Sequence, residues 1–304
     1  MNRIGKVKTR FGVALERRAD KMAVGALLPA LLALGLVGAA TPVGAQTSPS
    51  GVALIQPGDA QFRALLDANF PGFADSPSFA QMQPLLALLV NSDSLSKTAY
   101  SVRWSIGHSD GWVDHMDKLS LPRPFAAHAP TIRPGQVRLL SPFFSLSPAD
   151  YRRMGNVESL FPASIFAQSG AVSKVSAALD GVVSEDGTFF GQDDTSLRTR
   201  YACFARAEHD EGVLLANSLQ TSPSAGEILA ALDRQIADGL AAGGKLDAAS
   251  LHTYYVGQVA QTVRNFVQQN GTTGLNGRAA ALTYANRYAQ ADCASAQAQL
   301  SSVK

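Results

Sequence analysis

Tyr100-Ser101-Val102-Arg103-Trp104-Ser105-Ile106 is the stretch on which the fold turns. Large apolar side chains alternate there with Ser, Arg and Ser, the period of a strand with one buried face and one wetter face. The pattern predicts Tyr100, Val102, Trp104 and Ile106 in a core and Arg103 in water. Upstream, Leu85-Leu86-Ala87-Leu88-Leu89-Val90 runs unbroken between Pro84 and the turn-forming Asn91-Ser92-Asp93-Ser94, which suits a buried strand. Downstream, His108-Ser109-Asp110-Gly111 supplies a turn, and Trp112 to Leu119 returns as a partner strand. Trp112, Val113, Met116 and Leu119 fit a helical stripe nearly as well.

The same grammar continues to about residue 192. Pro134-Gly135 turns the chain into Val137 to Leu140, and Val175, Ala177 and Leu179 alternate again. Glu185-Asp186-Gly187 then turns into Thr188-Phe189-Phe190, since Asp-Gly between apolar segments favours a hairpin. Residues 80–192 therefore read as an antiparallel β-sandwich-like (Ig-like) module of short strands. Before it, residues 46–79 read as a linker, polar from Gln46 to Gly51, and a short helix capped by Asp59.

From Asp193 the period becomes helical, and residues 193–304 read as a C-terminal helical bundle. Leu197, Tyr201 and Phe204 share one stripe, and Ser224-Ala225-Gly226-Glu227 is a capping box. It opens a second stripe of Leu229, Leu232, Ile236 and Leu240. Leu251, Tyr255, Val259, Val263 and Phe266 form a third, and Leu282, Ala285, Ala289, Cys293, Ala296 and Leu300 a fourth. The fold class expected is α+β.

Residues 1–45 read as a signal peptide. Seven basic residues precede an apolar run from Met22 to Ala40, and Val43-Gly44-Ala45 offers the small residues of a cleavage site. The expected destination is export, to the periplasm or the extracellular space. Left uncleaved, the run approaches a spanning length and would anchor the chain in a membrane. The leader holds 7 Lys+Arg and 2 Asp+Glu of the chain's 26 and 24, so the remainder carries 19 and 22, a net charge near −3. Without a dense basic patch, nucleic acid is not an expected partner; an envelope protein is.

The two cysteines, Cys203 and Cys293, lack Cys-x-x-Cys spacing, and in an oxidising compartment they are disulfide candidates. Gly107-His108-Ser109-Asp110-Gly111 matches the Gly-x-Ser-x-Gly nucleophile elbow, which lifts a serine above a parallel sheet at a strand-to-helix turn. Few strands precede Ser109, and no Gly-rich oxyanion segment lies upstream. A hairpin turn explains the motif without chemistry.

His108, His115, His128, His209 and His252 have no zinc-site spacing. Asp180, Glu185, Asp186, Asp193 and Asp194 could offer oxygens to calcium, but turn and capping duties account for each. Glu208-His209-Asp210-Glu211 could be an acid/base cluster, or a solvated helix face. No catalytic, cofactor-binding or metal-binding residue is assigned, and no cofactor is expected.

Asn91-Ser92 with Ala99-Tyr100-Ser101-Val102-Arg103-Trp104, and the later run from Leu179 to Asp193, resemble the hallmarks of a loose group of exported bacterial proteins of unknown function. The resemblance implies an exported β-rich module followed by helices, and it brings no activity. The functional expectation is a non-enzymatic binding or envelope-structural protein. A secreted serine hydrolase using Ser109 is the alternative, and a calcium-dependent adhesion module a third reading.

Overall fold

In a computed structural model of the chain, the alternating stretch lies within a twelve-residue strand, Lys97–His108. The structure describes residues 46–47, 51–122, 131–154, 157–161, 172–221, 223–243, 247–284 and 293. In chain order the elements are β1 (Gln46–Thr47), β2 (Val52–Ile55), α1 (Phe62–Asn69), α2 (Phe79–Met82), β3 (Ala87–Asn91), β4 (Lys97–His108), β5 (Val113–Ser120), β6 (Val137–Leu140), β7 (Ser145–Leu146), α3 (Pro148–Met154), β8 (Val172–Ser184) and β9 (Phe189–Gly191). The helices α4 (Leu197–Leu219), α5 (Ala225–Ala242), α6 (Ala248–Asn270) and α7 (Leu275–Tyr284) follow. The expected signal peptide lies outside the described residues.

The strands form two antiparallel sheets, ordered β1-β2-β3-β6-β7 and β5-β4-β8-β9. Val52, Leu54, Ala87 and Leu89 of the first share a core with Tyr100, Val102, Trp104 and Val182 of the second. The inward residues predicted from Tyr100 to Ile106 are buried as read, whereas Ser101 on the other face is buried as well, its hydroxyl donating to Asp180. Burying one large apolar side chain contributes about 2–3 kcal/mol. On the opposite face, Arg103 bridges Asp194 at 2.6 Å with both groups near half exposure, a contact worth under about 1 kcal/mol. The inward side chains hold this strand in place.

The first sheet is covered on both faces. Its other side, with Ala53, Ile55, Leu88 and Leu139, packs against Phe62, Leu66, Phe70 and Met82. A strand buried on both faces has no reason to alternate, which explains the run from 87 to 90, while Leu85 ends a 3-10 turn that leads into the strand. It also corrects the reading of residues 46–79 as linker and short helix. Val52–Ile55 is a strand paired with β3, and all four of its residues are buried.

Trp112 to Leu119 resolves as strand: β5 pairs with β4 through Trp104↔Met116 and Ser105↔His115. Its outer face and that of β4 and β8 carry Leu119, Ala99 and Val183, which meet Leu197 and Tyr201 of α4. This seam joins strands to helices, and Pro42–Lys304 form one compact unit across the expected boundary at 192/193.

Helix α4 packs on α6 and α7, and α5 packs on α6. Their shared core includes Phe204, Leu215, Leu232, Val259 and Val263. The capping box at Ser224 forms as read: its hydroxyl accepts from the Glu227 amide, and the Glu227 carboxylate accepts from the Ser224 amide. The stripe read for α5 is turned, however. Ile228, Leu232 and Gly239 are buried, whereas Leu240 is 71% exposed. Among the described residues, no helix is long and apolar enough to cross a membrane.

Candidate functional site

Ser109 stands on the turn between β4 and β5, exposed to solvent. The turn closes through the His108 amide to the Trp112 carbonyl (2.7 Å) and the Gly111 amide to the His108 carbonyl (3.0 Å). Gly111 has φ +86°, which a side chain would disfavour. An antiparallel hairpin is not the strand-to-helix turn of a nucleophile elbow. His108 is not turned to Ser109 as a base either. Its Nε2 pairs with Asp114 Oδ2 at 2.9 Å, while His115 Nδ1 pairs with Ser105 Oγ at 3.1 Å.

What the turn does present is Trp112. The indole Nε1 donates to Asp114 Oδ1 at 2.8 Å, and the Trp112 amide donates to Asp110 Oδ1 at 3.0 Å. The side chain is nonetheless 62% exposed, beside Val113 at 45%. The indole N–H, then His108, hold the Asp114 carboxyl below its ordinary value. A large aromatic is therefore fixed at the turn end of the β4–β5 hairpin by hydrogen bonds from its indole N–H and its amide, leaving its apolar surface in water.

The acidic stretch after β8 is an internal brace. Asp180 Oδ2 accepts from Ser101 Oγ (3.1 Å), the Thr195 amide (3.0 Å) and Thr195 Oγ1 (2.6 Å), and Oδ1 accepts from the Asp194 amide (3.0 Å). Its oxygens face donors, an arrangement that serves the loop and not a cation. Asp193, at φ +63°, accepts from the Arg198 amide at 2.9 Å in the first turn of α4. Burial pushes its carboxyl up. Asp186 accepts from the Thr188 amide at 2.9 Å across the β8–β9 turn. Among the described residues, no three His, Cys, Asp or Glu are grouped to hold a metal.

The Glu208–Glu211 segment is not the solvated face expected of it. Glu208 and Glu211 are buried, and burial pushes the Glu211 carboxyl up. Asp210 Oδ2 takes Arg206 Nε (2.9 Å) and His252 Nε2 (3.1 Å), joining α4 to α6. A charged side chain in sequence carries no sign of which helical face will be covered, so only the α5 contact distinguishes Glu211. His128 lies outside the described residues.

Cys203 on α4 and Cys293 stand at disulfide distance, with Cα atoms 4.7 Å apart. This lies within the span that a disulfide bridges. Sequence reading missed Lys97, whose buried ammonium donates to Asp93 Oδ2 (2.6 Å) and Ser184 Oγ (3.0 Å). The four-residue spacing from Asp93 was the available signal. No family model matches the chain, and no curated protein or solved structure matches it either.

Proposed function

We propose that this is an exported, non-enzymatic binding or envelope-structural protein, in which an Ig-like sandwich and a helical bundle form the frame and the β4–β5 hairpin meets a protein partner of the envelope. The observation that carries the reading is Trp112, an exposed aromatic fixed by Asp114 at 2.8 Å. Exposed, preorganised tryptophans make strong anchors, because they bury a large area on binding at little conformational cost. The paired cysteines and the basic-then-apolar leader support export, as does the resemblance to exported bacterial proteins. The near-neutral charge beyond the leader favours a protein partner over nucleic acid.

The test uses the protein's two tryptophans, of which Trp104 is buried. Acrylamide quenching of wild-type fluorescence should arise from Trp112, and a solubilised envelope extract should protect it. A Trp112→Ala variant should retain its melting transition and lose the envelope species that wild type captures. Fluorophosphonate labelling that disappears in Ser109→Ala would instead establish the hydrolase reading. Residues 1–45 fused ahead of β-lactamase should confer ampicillin resistance if they direct export.

A further inference from the structure

Helices α4 and α5 enclose a groove of about 210 Å³ with an unusual floor. Glu211, 1% exposed, contributes a carboxylate, and Gln235 from α5 donates its Nε2 to Glu211 Oε2 at 2.7 Å. This single bond leaves Glu211 Oε1 and Gln235 Oε1 buried with no hydrogen-bond partner among the described residues. Both are acceptors, so neither can satisfy the other while Glu211 is ionised. Buried acceptors are normally paired, and each unpaired one asks for a donor.

The walls above them are apolar, formed by Leu214, Leu215, Ile228 and Leu232. The remaining polar lining includes Glu227, a second carboxylate, and among the described residues no Lys or Arg lines the groove. We infer that this groove binds a small amphiphile with a primary ammonium head, toward which the Glu211 and Gln235 side chains turn so that its N–H groups meet their Oε1 atoms, while its alkyl chain lies along Leu214, Ile228 and Leu232. An ammonium has three donors and the complementary charge. A hydroxyl has one donor, and a carboxylate has none and is repelled.

The competing arrangement needs no ligand. Burial favours the protonated form of Glu211. A proton on Oε1 passed toward Gln235 Oε1 would satisfy the floor internally and remove any preference for amines.

The experiment titrates octylamine, octanol and octanoate into methyl-labelled protein at neutral pH, following the Leu214, Leu215, Ile228 and Leu232 resonances. Octylamine should give saturable shifts at these methyls, with octanoate weaker by about tenfold or more. Glu211→Gln, which keeps the shape, should weaken octylamine by about tenfold and leave octanol unchanged. Ala231→Trp, placed in the groove wall, should abolish all binding while keeping a cooperative melt. Equal affinity for octanoate, an unchanged amine affinity in Glu211→Gln, or no shifts with any of the three would each overturn the proposal.

Discussion

Gly239 of α5 and Gly257 of α6 meet backbone to backbone. A Cβ built on Gly239 would lie 2.8 Å from the Gly257 Cα, and one on Gly257 would lie 2.9 Å from the Gly239 Cα. Both partners are helical backbone, which cannot swing aside as a side-chain end can. Gly→Ala in a helix normally gains about 1 kcal/mol, whereas overpacking costs about 1–3 kcal/mol or more. Gly239→Ala and Gly257→Ala should therefore each lower stability by about 1–2 kcal/mol in urea denaturation. Gly277→Ala, in the open part of α7, should raise it by under about 1 kcal/mol. The same substitution with opposite signs separates packing from propensity.

The Cys203–Cys293 pair closes a sequence separation of 90 residues across the helical region. Both sulfurs lie against the Ala248 carbonyl at the start of α6, at 3.9 and 3.4 Å. In the chain-entropy account, a bridge of this span stabilises by about 4–5 kcal/mol. Reduction, or Cys203→Ser with Cys293→Ser, should lower the stability by a corresponding amount and steepen the urea slope, because the unfolded chain without the bridge exposes more surface. Alkylation without reductant should add no mass. Two additions would show free thiols.

The legible parts of the fold are those where one residue's own chemistry reports its surroundings. Tyr100, Val102 and Trp104 alternate because the two faces of β4 meet different environments. Asp186-Gly187 turns because Gly187, at φ +85°, needs what glycine allows. Val52–Ile55 was hidden because four apolar residues buried on both faces leave no alternation to detect. Leu240 faces water for a related reason: the close contact on α5 is made by Gly239, which has no side chain to mark it as apolar. At the groove, the signal is lost altogether. Glu211 has the same spelling in water as under α5, and only the fold brings Gln235 to it.

The Asp180 brace predicts a large local penalty. Asp180→Ala removes the acceptor for two amides and two hydroxyls around the corner from β8 to α4. Leaving buried donors unpaired costs about 1–3 kcal/mol apiece, partly recovered where water enters. A loss of about 3 kcal/mol is expected, with Asp180→Asn intermediate. Hydrogen exchange should localise it to Asp194 and Thr195. Gly191→Ala should be at least as damaging, because its Cβ would fall 2.1 Å from the Asp180 carbonyl oxygen.

Glu211 should make stability fall as pH rises, the reverse of most carboxylates. Burial pushes its carboxyl above the ordinary value of 4.5, with the Gln235 amide opposing. Below that value both folded and unfolded chains hold the proton, and nothing is lost. As pH climbs through it, the unfolded chain releases the proton first. The folded state then binds more protons, so stability drops until native Glu211 ionises and the curve flattens. Asp93 and Asp114 have lowered values, set first by the Lys97 and Trp112 hydrogen bonds respectively, and their contributions are instead lost on acidification. Both are common to wild type and Glu211→Gln, so they cancel in the difference. Urea denaturation of the two proteins should give near-equal stability below the ordinary carboxylate range and a more stable Glu211→Gln at neutral pH. Parallel curves across that interval would mean that Glu211 ionises in the fold as freely as it does in water.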